Sequence, residues 1–166
     1  GAGPIGGGWT AHFLARGYDV TAYLHDKSET NSFMSILKTA WISLSELGLA
    51  PSASMDRLRI VTDLEEALEG ADFVQESGPE RLEVKQELYS EIGKILPPSI
   101  IIGSSTSGLM MSDIQSDCST PERTVIGHPF NPPYLLPLVE IVGGKRTAPE
   151  AVAWAGEFYK VAGKAP

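Results

Sequence analysis

Cysteine is nearly absent. Cys118 is the single one in 166 residues, which excludes an intrachain disulfide framework and fits a reducing compartment, hence a cytoplasmic protein. Histidine is scarce as well: His12, His25 and His128 are scattered, and with one thiol they offer no zinc-ligand spacing, so no metal is expected. Positive charge is thin. Lys plus Arg is 13 against 21 Asp plus Glu, a net charge of −8 with no basic run, which argues against nucleic acid and anionic membranes as partners. No apolar run approaches the ~20 residues that cross a bilayer, and the opening residues do not read as a signal peptide. Repeats, low-complexity tracts and linkers are missing too. What remains is ordinary for a globular domain, 42% hydrophobic and 20% charged, and the length suits one domain with a sizeable core.

Strand and helix patterns alternate along the chain. Ile5, Trp9 and Phe13, spaced by four, predict a helix that Gly17 ends. Residues 20–24 read as a strand. Phe33, Ile36, Leu37, Ala40, Trp41, Leu44 and Leu47 form one face of a long helix with Gly48 at its C-cap. Further strands are expected at 58–61, 72–75, 100–102, 125–127 and 138–142. Helix starts are expected at capping boxes: Thr62-x-x-Glu65, Ser77-x-x-Glu80, Ser112-x-x-Gln115 and Thr147-x-x-Glu150. This alternation predicts an α/β fold of the doubly wound Rossmann type, a mostly parallel sheet covered on both faces. A buried strand normally feeds a glycine loop such as the one at Gly1. The expectation is therefore that the first strand is missing from residues 1–166, and that a following domain is missing after the last helix.

Gly1-x-Gly3-x-x-Gly6 opens the first helix, so Gly1, Ala2, Gly3, Pro4, Ile5 and Gly6 match the fingerprint of a dinucleotide loop. Glycines permit the tight turn and the close approach of a pyrophosphate, and the helix N-terminus adds free N–H groups and a positive dipole end. Asp26, 20 residues past Gly6, is either the acid that binds the ribose or a solvated turn aspartate. Lys27 beside it keeps a 2′-phosphate, hence NADP, conceivable. A second constellation is Gly127-His128-Pro129-Phe130-Asn131-Pro132-Pro133-Tyr134, followed by Leu138-Val139-Glu140. If the flanking strands return side by side, His128 lies close to Glu140, and a carboxylate that fixes the tautomer of an imidazole makes a general base. Spacing alone favours a hydrogen-bonded structural histidine over a catalytic one.

Taken together, the glycine loop, Gly103-Ser104-Ser105-Thr106-Ser107, His128-x-x-Asn131-Pro132 and Glu140 resemble the 3-hydroxyacyl-CoA dehydrogenase family, over essentially the whole chain as its NAD-binding domain. Ser107 to His128 spans 21 residues and His128 to Glu140 spans 12, both matching that family. Residues 75–82, 103–109 and 128–144 are most similar to the branch that oxidises L-carnitine, and the proline–tyrosine segment is also similar to the branch that oxidises L-gulonate, which includes a lens crystallin. The resemblance implies NAD as cofactor, His128 as the base, Glu140 as its partner, and Ser107 and Asn131 as the groups that orient the substrate oxygen and the nicotinamide. Glu80 and Lys85 stand where the family places cofactor contacts, although Glu80 is equally explained as a capping residue and Lys85 as a solvated helix lysine. The resemblance further implies a missing C-terminal helical domain and a homodimer formed through it. Two departures stand out. Ser105 replaces an asparagine usual in the acyl-CoA enzymes, and Leu24 replaces the aspartate that ends the second strand. The expected reaction is NAD-dependent oxidation of the 3-hydroxyl of a small hydroxy acid, L-carnitine first. The alternatives are L-3-hydroxyacyl-CoA, L-gulonate, or a dinucleotide-binding structural protein without turnover.

Overall fold

A computed structural model, which describes residues 1–166, resolves the alternation into six strands and six α-helices. The strands are β1 (Val20–Tyr23), β2 (Leu58–Val61), β3 (Phe73–Glu76), β4 (Ile101–Ser104), β5 (Thr124–Pro129) and β6 (Val139–Gly143). The helices are α1 (Pro4–Ala15), α2 (Thr30–Leu47), α3 (Leu64–Leu68), α4 (Leu82–Ile95), α5 (Met111–Ile114) and α6 (Pro149–Val161). The predicted mostly parallel sheet is present as two hydrogen-bonded pieces. β1 pairs with β2 in parallel, and the other piece runs β3-β4-β5-β6, parallel up to β5 and antiparallel at β6. Gly1 lies between the pieces: its amino group donates to the Tyr23 carbonyl at 3.4 Å, and on the other side a Cβ would run into the Ser77 carbonyl.

Helix α1 departs from the predicted single stripe. Every residue from Gly6 to Ala15 is buried, because the helix packs on α2 and against both β1 and β3. One side carries Trp9 and Phe13 into a cluster with Tyr159, Val125 and Val139. The other carries Ala11, Leu14 and Ala15 against Phe33, Leu37, Ala40 and Leu44 of α2. Gly17, with φ 84°, follows the C-cap and turns the chain into β1. The α2 face matches the predicted one at Phe33, Leu37, Ala40 and Leu44, but Leu47, the last helical residue, is exposed.

The expected capping boxes are displaced: at Thr62 the neighbouring Asp63 takes the cap, and at Ser77, Ser112 and Thr147 a partner far along the chain outcompetes the local one. Helix α3 is capped by Asp63, whose Oδ1 accepts from Glu66 N–H at 2.8 Å, and not by Thr62. Helix α4 starts at Leu82, past the Ser77–Glu80 box. Helix α5 starts at Met111, with Ser112 Oγ accepting from Lys145 N–H and Gln115 buried against Pro121, Thr124 and Arg146. Helix α6 starts at Pro149, while Thr147 Oγ1 bridges Gly144 N–H and the Thr124 carbonyl. The reciprocal capping box that does form joins Asp26 and Glu29.

His12 lies within buried α1 at 3% exposure, its Nε2 on the Ala162 carbonyl at 2.8 Å. Burial, with a smaller contribution from Lys164, pushes its pKa down to about 3. The folded protein thus refuses a proton that the unfolded chain accepts near pH 6.5. Stability contributed by keeping His12 neutral is present above pH 6.5 and is lost as pH falls from there toward 3, by roughly 4–5 kcal/mol in all. Urea unfolding of wild type and His12→Gln between pH 7 and 4 checks this: the variant is expected to lose stability less steeply, because its amide does not titrate.

Candidate active site

At the carboxyl ends of β3 and β4, residues 76–80 and 104–108 are hydrogen-bonded side by side, and the glycine loop meets the first of them where Gly1 abuts Ser77. The glycine loop fits a dinucleotide phosphate in two ways. The first bond of α1 runs from Gly7 N–H to the Gly3 carbonyl at 2.8 Å, with Pro4 at the first helical position, so the Ile5 and Gly6 amides are left without a helical acceptor at the positive end of the dipole. A Cβ on Gly3 would meet nothing within 4 Å, whereas Cβ atoms on Gly1 and Gly6 would strike backbone. Gly1 and Gly6 are therefore required by the fold itself, and Gly3 keeps open the space into which a phosphate would come.

His128 and Glu140 stand directly opposite each other across the antiparallel β5–β6 pair. Their side chains share a face, and Nδ1 lies 2.9 Å from Glu140 Oε2. An ionised carboxylate only accepts, so Nδ1 carries the hydrogen and Nε2 presents its lone pair. The imidazole is partly exposed and the carboxylate more so, and the ring leans on Phe130 with centroids 5.4 Å apart. Asn131 is exposed in the loop that follows, at a cis Asn131–Pro132 peptide. It lines a cleft of about 460 Å³ together with Pro4, the hydroxyl residues Ser32, Ser35 and Thr39 of α2, and Tyr134. No lysine or arginine lines this cleft. Ser107 is exposed at the turn after β4, its N–H on Glu80 Oε1 at 3.1 Å.

Two of the sequence readings need correction here. Glu80 does not cap a helix through Ser77. Its Oε1 crosses to the neighbouring segment and accepts from Thr106 Oγ1 at 2.5 Å, Ser107 N–H at 3.1 Å and Gly108 N–H at 3.2 Å. Partial burial alone would raise its pKa, but these bonds and the nearby Lys85 ammonium hold the carboxyl below the usual range. Ser77 meanwhile bonds Ser105, whose hydroxyl also accepts from Gln75 at 2.8 Å. Lys85 is neither solvated nor open to a ligand. It is 1% exposed and its ammonium lies 2.7 and 2.9 Å from the two oxygens of buried Glu76. Asp26 lies past the end of β1, and its Oδ1 accepts from Ser28 N–H at 2.7 Å, which lowers its pKa. Leu24 points into the core at 0% exposure.

Sequence reasoning passed over Glu76 and Thr106. Glu76 also accepts from Ser104 Oγ at 2.6 Å and Gly78 N–H at 2.5 Å, so the Glu76–Lys85 pair joins β3, β4 and α4 beneath the loop that carries Glu80. A carboxylate ending the short strand Phe73-Val74-Gln75-Glu76 was the available signal. Lys85→Met leaves a buried carboxylate without its cation and is expected to cost about 3–5 kcal/mol. Urea unfolding measures it, and a loss under 1 kcal/mol would show that the pair is not structural.

Compared with known proteins, residues 1–166 match the family model described as the NAD-binding domain of 3-hydroxyacyl-CoA dehydrogenase. The chain is 54% identical over 164 residues to an L-carnitine dehydrogenase of Streptomyces coelicolor, covering 99% of this chain and 52% of that one. It is 49% identical over 166 residues to an L-carnitine dehydrogenase of Pseudomonas putida, covering 100% and 52%. It thus spans about half the length of the curated relatives it matches. Among solved structures, 3-hydroxybutyryl-CoA dehydrogenase of Escherichia coli K12 superposes with a TM-score of 0.91 at 31% identity, covering 100% of this chain and 36% of that one. A 5-formyl-3-hydroxy-2-methylpyridine 4-carboxylic acid 5-dehydrogenase, described as an NAD+-dependent dismutase, does so with a TM-score of 0.91 at 33% identity, covering 100% and 54%.

Proposed function

The chain belongs to the 3-hydroxyacyl-CoA dehydrogenase family, as its NAD-binding domain, and from that premise we propose that the full-length protein oxidises the 3-hydroxyl of a small hydroxy acid, with L-carnitine as substrate. The observation that carries the reading is the His128–Glu140 hydrogen bond at the carboxyl end of β5, in a sheet that the glycine loop meets at Ser77, after β3. His128 Nε2 takes the proton of the substrate hydroxyl as the carbonyl forms, while Glu140 holds the tautomer and stabilises the imidazolium that results. NAD, when bound, supplies the acceptor for the hydride that leaves the carbinol carbon. Residues 1–6 hold its pyrophosphate. Asp26 keeps Oδ2 for a ribose hydroxyl while Oδ1 serves Ser28. Ser107 and Asn131 orient the substrate oxygen and the nicotinamide, and Glu80 sets the 106–108 turn on which Ser107 sits. Lys85 acts from beneath, by anchoring Glu76.

Three features support carnitine over acyl-CoA. The relatives at about 50% identity are L-carnitine dehydrogenases. The cleft beside Asn131 offers hydroxyls and the Tyr134 ring and no cation for the phosphates of CoA. A trimethylammonium, which donates no hydrogen bond, suits an aromatic face and an acidic protein. We also place the protein in the cytoplasm, in keeping with the free, buried Cys118, and as a homodimer, which sedimentation would check. No helix is long and apolar enough to cross a membrane. Initial rates of NAD reduction by the full-length protein on L-carnitine, L-gulonate and 3-hydroxybutyryl-CoA, near pH 9, test the substrate. Carnitine turnover is expected. Turnover of gulonate alone moves the protein to that branch, turnover of acyl-CoA alone overturns the small-acid reading, and NAD binding without any turnover leaves a dinucleotide-binding structural protein.

A further inference from the structure

The loop that joins β5 to β6 has few hydrogen bonds of its own. Pro132, Pro133 and Pro137 have no N–H to give, and the bonds inside the loop are those from the Leu135 and Leu136 amides to the Pro132 carbonyl, at 3.0 and 3.1 Å. Three further carbonyls, those of Pro133, Leu136 and Pro137, are met from the segment after α6. Lys164 Nζ donates to the Pro133 carbonyl and, at 3.1 Å, to that of Leu136. Ala165 N–H donates to the Pro137 carbonyl at 2.8 Å, and Val139 N–H returns a bond to the Ala165 carbonyl at 3.1 Å. Lys164 is 7% exposed and its ammonium lies 5.0 Å from the centroid of the Trp9 ring. A buried ammonium is costly unless it is partnered, and two carbonyls that prolines leave unserved, with an aromatic face beneath, are suitable partners. Pro133 also rests on α1 directly: a Cβ on Gly8 would stand 2.7 Å from Pro133 Cδ. The loop is therefore tied both to α1 and to the segment that follows α6.

That loop carries Asn131 and Tyr134 into the cleft and has His128 and Glu140 at its two ends. We propose that Lys164 is a positioning residue for the oxidation described above: by tying the Pro133 and Leu136 carbonyls over Trp9 it fixes Asn131 and Tyr134 at the substrate cleft, without itself touching substrate. The five-pair β5–β6 register, Val125↔Gly143 to Pro129↔Val139, holds the His128–Glu140 pair independently, so loosening the clamp disturbs the loop and spares the pair. The role in catalysis rests on the proposed function; the clamp itself does not.

The test uses the full-length protein and reads the two separately. In Lys164→Met, hydrogen exchange at the Leu135 and Leu136 amides is expected to speed up about tenfold or more, with the β5 amides unchanged. On L-carnitine, kcat is expected to fall about tenfold while the KM for NAD stays within about twofold, because the phosphate loop is untouched. In an Asn131→Ala background the same substitution is expected to lower kcat less than about twofold, a non-additivity that a general loss of stability would not produce. Lys164→Gln, which keeps a neutral donor, is expected to retain part of the rate. If Lys164→Met does not fold, Gly8→Ala replaces it: its Cβ pushes on Pro133 directly and should give the same kinetic split and the same non-additivity with Asn131→Ala. Unchanged loop exchange in the folded variant overturns the clamp. An equal kcat loss with and without Asn131 overturns positioning. Wild type that reduces no NAD on any of the three substrates removes the reaction and with it this role, even where the exchange result stands.

Discussion

His128→Gln in the full-length protein is expected to lower kcat for NAD reduction by about two to four orders of magnitude, the contribution typical of a positioned general base, and to leave NAD affinity within about threefold. The reason is positional. The imidazole sits opposite Glu140 in the strand register, with Nδ1 held at 2.9 Å by the carboxylate and Nε2 left over. Glutamine keeps the size and a donor toward Glu140 but supplies no base. Glu140→Gln should lower kcat less, since Nε2 survives while the tautomer and the imidazolium lose their partner. Stopped-flow or steady-state kinetics on L-carnitine, with NAD binding followed by nucleotide fluorescence, measures both. A His128→Gln protein that unfolds instead would return the residue to a structural role, and one that turns over at the wild-type rate would remove the base.

Gly3→Val is expected to abolish measurable NAD binding, a loss of about 100-fold or more, while the protein folds normally. The added side chain meets nothing within 4 Å of its Cβ in the protein, so the fold has no reason to object. It would occupy the approach to the N-terminus of α1, where a pyrophosphate draws on free amides and the dipole. Gly6→Ala is the contrasting control. Its Cβ would strike the Gly1 backbone, so this variant loses stability whether or not NAD binds. Thermal unfolding together with NAD titration separates the two. Full NAD affinity in folded Gly3→Val would falsify the phosphate role of the loop.

The elements themselves were legible in the sequence because burial has a period. The α2 face at Phe33, Leu37, Ala40 and Leu44 and the strand at 58–61 stand as the apolar pattern places them, since local spacing and tertiary burial ask for the same residues there. The Gly1–Gly6 loop and the His128–Glu140 spacing were legible for a similar reason: both lie on short stretches whose geometry is set by one turn or one hairpin register. Helix starts were not. Thr62, Ser77, Ser112 and Thr147 each had a suitable partner three residues on, yet hydroxyls at three of these positions face groups far along the chain, Ser105, Lys145 and Thr124. A capping bond is worth about 1 kcal/mol, and a buried polar group left unpaired elsewhere costs as much or more, so the tertiary partner wins. The same arithmetic decided the charges. Nothing local distinguishes Lys85 or Lys164 from solvated lysines. Only the packing of β3, β4 and α4 brings Glu76 under one, and only the return of the chain beside the proline loop lays two carbonyls and Trp9 around the other, because which charge is buried depends on what is folded against it, not on its neighbours in sequence.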